Sequence, residues 1–198
     1  MGTLRLLAIS GSSRTGSWNR KLVDVAARAA EARGAQVEPL DLRALGLPLY
    51  DADLEKASGV PEGARRLRDA LRASDGVLFS APEYNGFPTP LLINSFDWLS
   101  RLQPEGEAPS GLAASSGKPL GLLSASPGPL GALRSLNFTR HYLGMTIAML
   151  VVPQQFALPK ANEAFDEAGA LKDARQQASV EAVVVSLIKV AGALKAGT

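Results

Sequence analysis

The residues best suited to chemistry lie in one small, polar stretch near the start of the chain, Ser10-Gly11-Ser12-Ser13-Arg14-Thr15-Gly16-Ser17-Trp18-Asn19. Its glycines tolerate positive φ and close backbone approach, its hydroxyls form hydrogen bonds, and Arg14 adds a fixed positive charge. An apolar run, Leu4-Arg5-Leu6-Leu7-Ala8-Ile9, leads into it, and a helical pattern with Leu22, Val25, Ala26 and Ala29 on one face leads out. A helix start presents unpaired N–H groups and the positive end of its dipole, so this strand, loop and helix suit an anion, above all a phosphate. The alternative is a plain Ser/Gly turn in which Ser17 or Asn19 is only a helix cap. Placement favours the anion, because ligands of α/β chains gather at the carboxyl ends of strands. Neither Gly-x-Gly-x-x-Gly nor Gly-x-x-x-x-Gly-Lys-Ser/Thr is present, which argues against a dinucleotide fold and a P-loop NTPase.

Such a loop needs a sheet behind it, and the rest of the chain supplies the pattern. Gln36 to Leu42 reads as a peripheral strand, Asp75 to Ala81 as a central one, Pro119 to Ser124 as a fourth and Thr146 to Val152 as a fifth. Helices are predicted from Pro61 to Ala73, Pro90 to Leu102, Ala132 to Leu143 and Leu171 to Lys195. In the connection after the second strand, Leu45, Leu47, Leu49 and Tyr50 are expected to fold back onto the domain. If the strands take the common order 2-1-3-4-5, the result is an α/β three-layer sandwich, a five-stranded parallel sheet with helices on both faces. The central strand exits through Pro82-Glu83-Tyr84-Asn85-Gly86, which by itself is equally a plain turn, and the fourth exits through Ala125 to Gly131. Three polar loops thus end three successive strands. Arg134, Arg140 and His141 are expected near the same rim, His141 as a partner of its helix's C-terminal dipole rather than a catalyst.

Two helices carry more apolar surface than one sheet face requires. The helix from Pro90 has a second face of Leu91, Trp98 and Leu102, and the last helix is apolar around most of its circumference, Val183, Val184 and Leu187 included. The prediction is a homodimer, or a homotetramer built from it, with Trp98 and Val184 at the contact, and burial of the Trp98 face within the chain as the nearly equal alternative. Gln103 to Lys118, rich in Gly, Pro, Ser and Ala, reads as a mobile and dispensable surface loop.

Composition narrows the function. At 198 residues and 46% apolar, the chain is sized for a single domain spanning 1–198. Its net charge of +2 is scattered, which makes nucleic acid a poor partner. With no cysteine, disulfides, thiolate catalysis and cysteine-bound metal are excluded, so any redox chemistry needs a cofactor. One histidine and no acidic cluster at ligand spacing predict no metal. The N-terminus lacks a signal pattern and no run of about 18 apolar residues exists, so a cytoplasmic protein without a membrane partner is expected.

These residues also resemble a family, the NAD(P)H-dependent FMN reductases of flavodoxin-like fold, which include quinone, azo and chromate reductases. Gly11, Ser12, Arg14, Ser17 and Asn19 match its Gly-Ser-x-Arg-x-x-Ser-x-Asn motif. Pro82 to Asn85, with Asn94, Asp97 and Trp98, match Pro-Glu-Tyr-Asn and Asn-x-x-Asp-Trp, and Ser126, Pro127, Gly128, Gly131 and Arg134 match a third motif. The resemblance implies FMN, with NAD(P)H as co-substrate. Ser12, Arg14, Ser17, Trp18 and Asn19 would then serve the phosphate, and Pro82, Glu83, Tyr84, Asn85 and Gly86 the isoalloxazine. Ser124, Ser126, Pro127 and Gly128 would hold the ribityl chain and ring. Phe87, Thr89, Pro90 and Ile93 stand where the family usually has Ser, Pro, Gly and Lys, which makes the rim bulkier and less polar. The implied reaction carries electrons from NADH or NADPH to a small-molecule acceptor, a quinone, flavin, azo compound or metal oxyanion, with no protein residue as acid or base. The competing functions are a flavodoxin-type electron carrier and a non-redox phosphate-binding regulator.

Overall fold

The computed structural model describes residues 2–197. Five parallel strands, β1 (Arg5–Ser10), β2 (Gln36–Asp41), β3 (Gly76–Ser80), β4 (Pro119–Ala125) and β5 (Leu150–Leu158), form one sheet of order β2-β1-β3-β4-β5. The helices are α1 (Trp18–Glu31), α2 (Ala52–Ser58), α3 (Glu62–Ala73), α4 (Pro90–Ser100), α5 (Leu133–His141) and α6 (Ala174–Ala196). This is the strand order expected, and the flavodoxin-like arrangement that the family resemblance implies.

Alternation along the central strands divides the core into two layers. Leu7, Ile9, Val77, Phe79, Leu120 and Leu122 pack with α3, α4 and the start of the turn after α5, while Leu6, Ala8, Leu78, Leu123 and Ala125 pack with α1 and α6. Each fully buried leucine here, such as Leu22, Leu67 or Leu71, contributes about 1.5–3 kcal/mol. Local chemistry sets where helices begin: Ser17, Asp51, Thr89 and Asp173 accept backbone N–H bonds as N-caps of α1, α2, α4 and α6.

Several expectations need correction. Trp98 is fully buried within the chain, its indole N–H donating to Pro48 O at 2.7 Å and its ring edge-on to Tyr50 at 5.1 Å. Val184 is equally buried between α6 and the sheet, so neither residue is available to a partner subunit. The second apolar face of α4 serves the connection after β2, which Asn94 also holds by accepting from Tyr50 N and donating to Pro48 O. Within that connection Leu49 points to solvent rather than folding back, and the charged stretch after it forms α2, stabilised by Asp51.

The stretch 103–118 is tied to the domain at two points at least. Glu105 is gripped by Arg65 at 3.2 Å, and a Cβ at Gly111 would fall 1.8 Å from Leu99 O. Strand β5 starts and ends later than predicted, because residues 142–146 form a wide helical turn and the strand continues past Pro153. A bulge opposite Gly121 accommodates that proline, and Arg140 stitches it by donating to Val152 O and to Gln155 Oε1. Arg140 therefore braces the sheet edge and is not at the rim. By length and composition α6 qualifies as a membrane span, yet Val180, Val183, Val184, Leu187 and Ala191 along it are buried in the protein.

Candidate functional site

Strands β1, β3 and β4 are neighbours, so the loops leaving them, residues 11–17, 81–89 and 126–132, meet along one rim of the sheet. Asn19, on the first turn of α1, locks the three together. Its Oδ1 accepts from Ala125 N at 2.9 Å and Ser80 Oγ at 2.9 Å, and its Nδ2 donates to Ala125 O at 2.8 Å. Thr89 adds a further tie, donating to Gly11 O at 2.8 Å while capping α4. Sequence reasoning had Thr89 only as one of the residues that make the rim bulkier and less polar; it is instead buried in this tie and cap, and a Thr-Pro pair before an apolar run is itself a helix-start signal.

The first loop is a cradle of donors. Among the described residues the N–H groups of Ser13, Thr15, Gly16 and Ser17 meet no acceptor. Ser12 Oγ accepts from Arg14 N and Ser17 Oγ from Asn19 N and Arg20 N, which leaves both hydroxyl protons available to donate. The two neighbouring arginines are engaged, Arg20 by Asp41 at 2.9 Å and Arg43 by Ser13 O at 3.1 Å. Burial pulls the Asp41 carboxyl up, but the bonds from Arg20 and from the N–H groups of Arg43 and Ala44 outweigh it and hold it below the usual carboxylate range. Asp41 thus stays ionised against Arg20. Arg14 has no carboxylate partner among the described residues; its guanidinium lies 4.3 Å from the Trp18 ring centroid. Clustered donors, a lone cation and the α1 N-terminus suit a dianion.

The second loop folds back in a two-residue turn. Tyr84 and Phe87 exchange both backbone hydrogen bonds, and Asn85 and Gly86 take positive φ of 52° and 86°, the pattern of a type I′ turn. Pro82 and Glu83 are occupied elsewhere: Ser135 Oγ donates to Pro82 O, and Glu83 accepts from Arg134 at 2.6 Å and from Ser135 N at 3.2 Å. Glu83 thereby caps α5, whose own N-cap, Ala132, offers no side-chain acceptor. In the third loop, Ser124 is fully buried and donates to Gly131 O at 2.7 Å, while Ser126 Oγ accepts from Gly128 N at 3.1 Å. A Cβ at Gly131 would come within 2.6 Å of the β5 backbone, so the loop closes only with glycine there.

The fourteen residues expected at the site thus divide. Arg14, Tyr84, Asn85, Gly86, Ser126, Pro127 and Gly128 line the rim, with Trp18 under Arg14 and Ser12 and Ser17 buried within the first loop. Asn19, Pro82, Glu83 and Ser124 spend their hydrogen bonds on the scaffold that holds it. His141 lies at the far end of α5, about 12 Å of helix rise from the rim.

Where the second loop meets α5 the rim is aromatic. Phe87 stacks on Phe138 of α5 with centroids 4.4 Å apart and planes 20° from parallel, and the two side chains remain 58% and 47% exposed. Tyr84 beside them is also exposed.

The family described as NADPH-dependent FMN reductase matches residues 4–163. An NAD(P)H-dependent FMN reductase of Pseudomonas aeruginosa is 33% identical over 174 residues, 86% of this chain and 85% of the relative. A quinone reductase of Escherichia coli is 36% identical over 115 residues, 57% of this chain and 60% of its own length. Among solved structures, FerB of Paracoccus denitrificans, described as a flavoenzyme NAD(P)H:(acceptor) oxidoreductase, superposes with a TM-score of 0.74 at 29% identity, covering 94% of this chain and 98% of that one.

Proposed function

The chain belongs to the NADPH-dependent FMN reductase family, and on that premise we propose that it is a single-domain oxidoreductase carrying electrons from NADH or NADPH, through FMN, to a small acceptor. One observation carries the reading: the donor cradle at the β1 loop, with four N–H groups that meet no acceptor among the described residues, two hydroxyl protons and Arg14, matches the oxygens and charge of a flavin phosphate. Bound FMN would supply the hydride-accepting and electron-storing chemistry that this chain's side chains do not offer. The chain's own part is to bind and orient. Arg14 and the loop N–H groups fix the phosphate, the 84–87 turn and the 126–128 loop border the ring, and the Asn19 and Thr89 ties keep the three loops in register. The N–H groups of Asn85 and Gly86, which meet no acceptor among the described residues, can stabilise negative charge developing on the ring.

A visible spectrum of the purified protein, followed by anaerobic addition of each nicotinamide, tests this. Flavin absorption that bleaches with NADH or NADPH is expected. A protein that takes up no FMN in titration would be a phosphate-binding regulator, and one whose FMN is reduced by neither nicotinamide would be a flavodoxin-type carrier.

For the acceptor we favour neutral, planar aromatic molecules such as quinones over metal oxyanions. The Phe87–Phe138 stack and Tyr84 offer apolar, flat surface, and both arginines of α5 are engaged elsewhere, Arg134 by Glu83 and Arg140 by Val152 O and Gln155 Oε1. Phe87→Ser is expected to raise KM for a benzoquinone about two- to tenfold, at roughly 0.5–1.5 kcal/mol for an aromatic pair, and to leave KM for ferricyanide unchanged. A quinone KM that does not move would remove the stack from the acceptor pocket.

A homodimer remains part of the proposal, seated differently from the first expectation. With Trp98 and Val184 buried, the exposed large apolar side chains of Leu130, Leu133, Phe138 and Met145 on and around α5 are the better contact. Sedimentation equilibrium should show a dimer at micromolar concentration that Leu133→Glu converts to monomer; a monomeric parent protein would rule this out.

A further inference from the structure

The placement of Arg14 is electrostatically awkward and therefore informative. Its guanidinium sits beside the start of α1, where the helix dipole is positive and a cation is disfavoured. It lacks a carboxylate partner among the described residues, and the loop N–H groups around it add more positive potential. What holds it there is the Trp18 ring at 4.3 Å, a cation–π contact. Trp18 is the first residue of α1 and packs against the core between α1 and α6, so its ring is itself fixed. An arginine on an exposed loop otherwise keeps rotamer freedom that a ligand must remove on binding.

We propose that Trp18 is a positioning residue: it holds Arg14 over the anion cradle before the ligand arrives, and so sets the preference for FMN over the phosphate-free flavin, riboflavin. Trp18 then acts through Arg14 and not by touching the flavin ring. The inference rests on the FMN reading above, and the test keeps the two separable.

Apoprotein is titrated with FMN and with riboflavin, following quenching of flavin fluorescence, for the parent, Trp18→Leu, Trp18→Phe, Arg14→Ala and the Trp18→Leu/Arg14→Ala double variant. Trp18→Leu should weaken FMN binding about three- to tenfold and leave riboflavin binding unchanged. Trp18→Phe, which keeps a π-face, should restore most of the loss, and the double variant should bind FMN no worse than Arg14→Ala alone. Should Trp18→Leu fail to fold, Trp18→Met keeps apolar bulk on the core without a π-face and replaces it. Equal losses for the two flavins, or losses that add in the double variant, would overturn the positioning role. A parent protein that binds FMN no better than riboflavin would overturn the phosphate cradle and this inference with it. A parent that prefers FMN, with the preference intact in Trp18→Leu, would overturn only the inference.

Discussion

Arg14→Ala should weaken FMN binding about ten- to a hundredfold and leave the melting temperature of the apoprotein nearly unchanged. The asymmetry follows from where the side chain spends its energy. In the ligand-free protein it makes only an exposed contact with Trp18, worth about 0.5–1 kcal/mol. Against a dianionic phosphate it would make charge-assisted hydrogen bonds worth about 1.5–3 kcal/mol. Riboflavin affinity should be insensitive to the change, because the phosphate is the only group Arg14 is placed to meet. Equal FMN affinity in parent and variant, measured by fluorescence titration, would take Arg14 out of the site.

The sheet was legible because its signals are local and redundant. Each of β1, β3 and β4 is a short apolar run ending in a small-residue loop, and a parallel sheet buried on both faces demands that pattern. Strand β5 was misplaced for a physical reason: Pro153 breaks the strand signal, and only the bulge stitched by Arg140 from α5 makes it tolerable, a contact that no local window contains. The same holds for Trp98. Its helical face looks surplus until the Pro48–Tyr50 segment, some fifty residues earlier, is seen to cover it. At the site, the sequence pointed to residue types and could not show their allegiance. Glu83 and Ser124 sit in motifs that suggest ligand contact, yet one caps α5 and the other closes the third loop. Side-chain hydrogen bonds of this range are set by tertiary placement, so the motif marks a position that matters without saying what it touches.

Asn19 shows the consequence most sharply, and its removal should cost the most stability of any single change at the site. It is 4% exposed, and its amide meets three buried groups, the N–H and C=O of Ala125 and the hydroxyl of Ser80. The amide can sit only one way round, since the Ala125 N–H must face oxygen and the Ala125 C=O must face nitrogen. In Asn19→Ala those three groups lose their partner together, at roughly 1–3 kcal/mol for each one left unsatisfied. Allowing the Ser80 hydroxyl to rotate to another acceptor leaves a loss of about 3 kcal/mol or more, which in a chain of this size lowers the melting temperature by roughly 6–12 °C. Asn19→Asp separates shape from hydrogen bonding. The introduced carboxyl still accepts from Ala125 N and Ser80 Oγ, but its second oxygen faces the Ala125 carbonyl unless it carries a proton. The α1 N-terminus and the two remaining donors favour the ionised form, but near-complete burial and the facing carbonyl oppose it more strongly, so the carboxyl's folded-state pKa is expected above its unfolded value of about 3.9. The hydrogen bond it contributes is then fully present below about pH 4 and is lost as pH rises through the folded pKa. The melting temperature of Asn19→Asp should therefore fall further behind the parent's between about pH 4 and pH 7, while the deficit of Asn19→Ala stays flat with pH. Thermal melts of both variants across that range decide it: an Asn19→Ala protein within about 2 °C of the parent would mean that the three loops are held by something other than this amide.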